Sequence, residues 1–138
     1  MQVQLDENQR LCAIARGCWF LTGATATGKT GVGLALARRL DAEIITLDSM
    51  TVYRGMDIGT AKPTASDQVA VPHHLIDICD PVDPFTASRY RSLAHETIAA
   101  IRERGRQVLF VGGTALYLKA MLRGLFAGPP VQGLRHAP

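Results

Sequence analysis

The stretch Gly23-Ala24-Thr25-Ala26-Thr27-Gly28-Lys29-Thr30 decides the fold, because it fills the spacing G-x-x-x-x-G-K-[ST] between a strand-like run and a helix-like one. Ahead of it, Cys18 to Thr22 is aromatic and apolar over strand length. Behind it, about Lys29 to Leu40 has helical period, with Val32, Ala35, Leu36 and Leu40 expected on one buried face. Glycines let such a loop curl so that successive N–H groups and the positive helix end face a di- or triphosphate. Lys29 would reach the phosphate oxygens, and the Thr30 hydroxyl would hold Mg²⁺.

Outward from this loop, strand-length apolar runs alternate with helical segments, the pattern of a layered α/β domain with a largely parallel sheet. Glu43 to Leu47 reads as the second strand, ending in Asp48 and Ser49 at a strand C-terminus, where such sheets bind ligands. Met50 to Val71 reads as loop, and His74 to Ile76 as a short strand ending at Asp77. The longest helix is expected over about Thr86 to Arg104, with Tyr90, Leu93, Ala94, Thr97, Ile98 and Ile101 at helical spacing and Gly105 just past its end. Val108 to Val111 reads as a buried strand. Gly112-Gly113-Thr114 then turns into a helix from about Ala115 to Arg123 carrying Leu118, Met121 and Leu122.

With 138 residues, the chain has the length of one domain. We expect an extension over 1–17, an α/β core over 18–128 and an irregular tail over 129–138. A hydrophobic share of 47% against 20% charged argues against wholesale disorder. The net charge of +3 suits anionic partners but names none. Cys12, Cys18 and Cys79 make no C-x-x-C pair and leave an odd thiol, so a reducing, cytoplasmic setting is expected. No apolar run reaches the roughly 18 residues that span a bilayer, so no membrane partner is expected.

The phosphate loop alone does not say what happens to the phosphate. Two strand ends, Asp48 and Asp77, each have the context of a metal-holding carboxylate, and each also suits a turn or cap. A nucleotide kinase, a non-catalytic diphosphate-binding fragment and a transferase of another group all remain open. The adjacent His73 and His74 point to opposite faces of a strand and read as packing residues. Arg54 and Lys62 are candidates for phosphate contact or plain surface charge, as are Arg89, Arg91, Arg102, Arg104 and Arg106, which read mainly as an exposed helix face.

Four strings in order, GATATGKT (Gly23 to Thr30), DSMTVYRGMDIGTAKP (Asp48 to Pro63), HHLIDICDPVDPFTASRY (His73 to Tyr90) and VGGTALYLKAMLRGL (Val111 to Leu125), resemble the tRNA dimethylallyltransferases. The resemblance implies a P-loop NTPase-like fold, a mostly parallel sheet flanked by helices, truncated relative to the family. It implies transfer of a dimethylallyl group from dimethylallyl diphosphate to the exocyclic amine of the adenine 3′ of a tRNA anticodon. A relative that prenylates free adenine nucleotides shares similar motifs.

By that resemblance Asp48 is the catalytic proton acceptor and Thr114 contacts the reacting nucleotide, while Asp48, Ser49, Met50 and Thr51 meet the tRNA anticodon stem-loop. Gly23, Ala24, Thr25, Ala26, Thr27, Gly28, Lys29 and Thr30 hold the diphosphate with Mg²⁺. Full-length relatives are expected to be monomeric. Thr114 equally fits a helix N-cap before Ala115. Departures are Thr51 where Gln is usual, Ala24, Thr27 and Ala115 in place of Pro, Ser and Gly, and a final stretch from Val131 unlike the family's continuation.

Overall fold

In a computed structural model of the chain, residues 5–22, 29–55 and 62–124 are described, without the side chains of Lys29 and Thr30. Four strands, β1 (Trp19–Leu21), β2 (Ala42–Thr46), β3 (His73–His74) and β4 (Gln107–Val111), form one parallel sheet in the order β1-β4-β2-β3. Five helices accompany them among the described residues: α1 (Glu7–Arg16), α2 (Lys29–Leu40), α3 (Ala65–Ala70), α4 (Ala87–Glu103) and α5 (Ala115–Arg123). The expected α/β architecture is therefore present.

The period of 2 along a strand sorts side chains to two covered faces. Ile45 and Leu47 with Val108 and Phe110 join the larger core against α4 and α5, while Ala42, Ile44 and Leu109 face α2. Every residue of β2 is buried, as a central parallel strand between two helix layers requires. Burying roughly 25 cal/mol per Å² of apolar surface on both faces is the main force holding these layers together.

On α2 the face differs from expectation. Val32 is 55% exposed, whereas Gly33 and Ala37 are buried and Leu36 and Leu40 are partly covered. A Cβ on Gly33 would stand 3.3 Å from the Val111 side chain, so small residues set how closely α2 approaches the sheet. On α5 the buried residues are Tyr117, Ala120 and Met121, with Leu118 only partly covered, because α5 must face α1 as well as α4. The α4 stripe of Tyr90, Ala94, Ile98 and Ile101 is buried as its spacing foretold, behind an N-cap in which Thr86 accepts from the Arg89 amide.

Two helices are additions to the sequence reading. α1 opens with a capping box between Asp6 and Gln9, and α3 with one between Thr64 and Asp67. Cys12 and Ala15 of α1 are buried. Arginines fasten α1 to the core: Arg16 donates to Leu122 O at 3.0 Å and Arg91 to Asn8 O at 3.2 Å. β3 is shorter than expected and begins earlier. His73 and His74 pair with Ile44 and Ile45, then Leu75 and Asp77 adopt left-handed backbone conformations (φ 65° and 54°) that end the strand.

Candidate active site

The C-terminal ends of β2 and β4 meet above this sheet, and the chain leaves each in a turn. Gly112, with φ 155°, lets the second turn pass directly over β2: a Cβ there would lie 2.2 Å from the Leu47 carbonyl oxygen. Three hydrogen bonds then join the turns. Leu47 N donates to Val111 O at 2.8 Å, Thr114 N donates to Leu47 O at 3.0 Å, and Ser49 N donates to Thr114 Oγ1 at 2.8 Å. Asp48 stands between the two residues so held. Its own carboxylate accepts from Met50 N at 2.8 Å, closing an Asx turn.

Asp48 and Thr114, 66 positions apart, are thus brought to the same turn through Ser49. Thr114 is the residue before α5, yet its side chain makes no cap hydrogen bond to that helix. The hydroxyl is turned toward Ser49 instead. Of the stretch anticipated to meet RNA, Asp48 and Ser49 are partly buried and Met50 is 42% exposed. Thr51 is 2% exposed, with its hydroxyl directed at Asp48 O (3.3 Å) and Thr46 Oγ1 (3.5 Å), so its side chain braces the loop from within. A backbone staple holds the loop beyond: Asp77 N donates to Thr51 O at 3.0 Å, Ile78 N to Val52 O at 2.8 Å and Arg54 N to Cys79 O at 2.8 Å.

Beneath the turns lies an aromatic support that the sequence reading did not single out as part of the site. Tyr90 of α4 donates its hydroxyl to Thr46 O at 2.7 Å, and its ring stacks on Tyr117 with centroids 4.1 Å apart. Phe85 meets Tyr117 edge-on at 6.4 Å. Burial pushes the Tyr90 phenol well above its ordinary value. The Tyr117 phenol is pushed up to about 12, first by burial and then by the neighbouring Tyr53, Asp48 and Cys79. Both phenols therefore stay neutral at physiological pH. Only the helical spacing of Tyr90 was visible in advance.

Other candidates are otherwise engaged. The carboxylate of Asp77 is ion-paired with Lys62, which also donates to Tyr53 O at 3.2 Å. Arg54 pairs with Asp80 at 2.9 Å, both more than half exposed. The five arginines do not share one face: Arg91 and Arg102 reach α1, Arg89 lies over the Phe85 ring, and Arg104 and Arg106 pair with Glu43 and Asp41. His74 bonds Glu43 at 2.8 Å through Nε2, and His73 meets Val71 O at 2.7 Å through Nδ1. Burial holds His73 below the ordinary histidine range. The phosphate-loop residues Gly23 to Gly28 and the side chains of Lys29 and Thr30 lie outside the described residues, though Lys29 opens α2, the next described element after β1.

A parallel sheet with helices on both faces and a carboxylate at the C-terminal end of a central strand defines an α/β protein whose ligands enter at that end. The profile of the family described as IPP transferase matches residues 51–137, across the stretch from Val131 that the sequence reading set apart. The chain belongs to the IPP transferase family.

It is 54% identical over 109 residues to tRNA dimethylallyltransferase 1 of Trichlorobacter lovleyi, covering 79% of this chain and 36% of that protein. It is 52% identical over 118 residues to the tRNA dimethylallyltransferase of Burkholderia mallei, covering 86% and 36%. Among solved structures, the tRNA isopentenylpyrophosphate transferase of Bacillus halodurans superposes with a TM-score of 0.74 at 49% identity, covering 81% of this chain and 37% of that one. A eukaryotic dimethylallyltransferase acting on tRNA gives 0.68 at 29% identity, covering 74% and 25%. The chain therefore spans about a third of the length of the curated relatives it matches.

Proposed function

We propose that this chain carries the diphosphate site and proton acceptor of a tRNA dimethylallyltransferase. The observation that supports it most is Asp48, held by the Thr114 turn at the C-terminal end of β2. The sheet end after β1, where the G-x-x-x-x-G-K-[ST] spacing lies, belongs to the same parallel array. A carboxylate just past one strand and a phosphate-loop motif following another in sequence suit a reaction between a nucleophilic amine and an allylic diphosphate.

In the reaction proposed, the adenine exocyclic nitrogen forms a bond to the first allylic carbon as the carbon–oxygen bond to diphosphate breaks. The bonding pair leaves with the diphosphate. The backbone N–H groups of the Gly23 to Gly28 loop and the Lys29 ammonium stabilise that growing negative charge. The amine becomes acidic only as the new bond forms, so the Asp48 carboxylate takes its proton then. By the G-x-x-x-x-G-K-[ST] spacing, the Thr30 hydroxyl would hold Mg²⁺ together with diphosphate oxygens, and the ion would neutralise leaving-group charge. Thr114 and the Asp48 to Met50 segment are the proposed contacts for the target nucleotide.

Purified chain, Mg²⁺, dimethylallyl diphosphate and an unmodified anticodon stem-loop RNA provide the test, read by mass spectrometry of the RNA. The expected result is gain of one dimethylallyl group that disappears with Asp48→Ala. No gain at high protein and RNA concentration would reject transfer by this chain.

A further inference from the structure

The Thr114 hydroxyl has two plausible duties by position, capping α5 or touching a ligand, and the structure gives it a third. It accepts from Ser49 N at 2.8 Å, while Thr114 N donates to Leu47 O at 3.0 Å. One residue therefore grips the backbone on both sides of Asp48. The cap bond to α5 is not made, although the residue sits at the N-cap with extended backbone (φ −78°, ψ 104°). A threonine at an N-cap ordinarily satisfies an amide of the first turn. Here that contact is given up for a bond to a residue 65 positions away in sequence.

The geometry points to Thr114 as a positioning residue: we propose that its side chain and backbone together clamp the Leu47-Asp48-Ser49 segment and thereby aim the Asp48 carboxylate. The inference deepens the prenyl-transfer reading and rests on it for the identity of the group being aimed. The clamp has a floor and a rear stop. Gly112 alone admits the close crossing over Leu47, and Tyr90 anchors the preceding carbonyl, that of Thr46, at 2.7 Å. The carboxylate is fixed in turn by Met50 N at 2.8 Å. With Ser49 N released, the Asx turn that follows Asp48 loses its upstream tether and the carboxylate samples wider orientations. Misplacement of a reacting group by about 1 Å is enough to lower a rate about 100-fold.

Three variants of the full chain separate this role from others. Thr114→Val keeps the shape and removes the acceptor, Thr114→Ser keeps the acceptor, and Asp48→Asn removes the group being aimed. The first measurement needs no turnover: amide hydrogen exchange at Ser49 and the ¹³C signal of the Asp48 carboxyl, by NMR. We expect Ser49 exchange to accelerate at least about tenfold and the Asp48 signal to move in Thr114→Val, with Thr114→Ser near the parent and α5 amides unchanged in both. The second is transfer to the stem-loop RNA. There kcat should fall about 10- to 100-fold in Thr114→Val, with KM for dimethylallyl diphosphate within about threefold and recovery in Thr114→Ser.

Unchanged Ser49 exchange in Thr114→Val would overturn the clamp, as would faster exchange with an undisturbed Asp48 signal or an unaltered kcat. Parallel loss of α5 protection would reassign Thr114 to a helix cap and equally overturn it. Absence of transfer by the parent chain rejects the reading of function instead, while the two NMR signals still decide the clamp.

Discussion

Two acids flank the same central strand, and their surroundings are opposite. Glu43, near the start of β2, is 2% exposed and accepts from Arg104 Nε at 2.8 Å, Arg104 Nη2 at 2.7 Å and His74 Nε2 at 2.8 Å. The Arg104 hydrogen bonds come first among the causes that hold its carboxyl down at about 2, against a burial penalty that works the other way. Asp48, just beyond the end of β2, is partly open and is paired with a backbone amide. Among the described side chains no cation pairs with it. Cations saturate the first carboxylate, whereas a backbone amide fixes the direction of the second. The strand thus has an ion-paired acid near its start and, just past its end, the acid proposed as proton acceptor.

The sharpest way to break the contrast is to remove each acid. Asp48→Asn should lower dimethylallyl transfer about 100- to 10,000-fold with the thermal midpoint nearly unchanged, as mass spectrometry and calorimetry on the same preparation will tell. Glu43→Ala should do the reverse to stability. It leaves His74 and Arg104 without their shared acceptor and should cost about 1 to 2 kcal/mol in urea unfolding, because the Arg104 side chain is half exposed and regains water. A Glu43 variant as stable as the parent would mean that the ion cluster is surface decoration.

The pH dependence sharpens the same point. Glu43 is held at about 2 in the folded chain against an ordinary 4.5. A carboxyl depressed by folding stabilises fully above its unfolded value, and that contribution is lost as pH falls from about 4.5 toward about 2. Urea midpoints should therefore drop steeply through that window in the parent and flatten in Glu43→Gln. The smallest effect is expected at a helix cap: Thr86→Ala removes the cap on α4 and should cost about 1 kcal/mol by the same unfolding measurement.

Much of the architecture was legible in the chain. Alternating strand and helix periods marked β2, β4, α2, α4 and α5 to within a residue or two, because each buries a regular stripe and regular stripes leave regular spacing. The short α1 and α3 were missed, although Asp6 to Gln9 and Thr64 to Asp67 carry the capping-box spacing that signals a helix start. The face of α2 was misjudged because hydropathy favours Val32 over Gly33. Packing reverses that choice: Gly33 is buried, and a Cβ there would stand 3.3 Å from the Val111 side chain.

What the sequence by itself determined is the series of elements, the phosphate-loop spacing and the candidacy of Asp48 and Thr114, since those depend on local period and on residue types at fixed offsets. What only the tertiary structure decided is the use made of them. That Thr114 reaches Ser49 rather than its own helix, that Tyr90 props Thr46, and that Glu43 gathers Arg104 and His74 are contacts across 31 to 65 positions. Such contacts follow from which strands lie side by side in the order β1-β4-β2-β3, and no local pattern encodes that order.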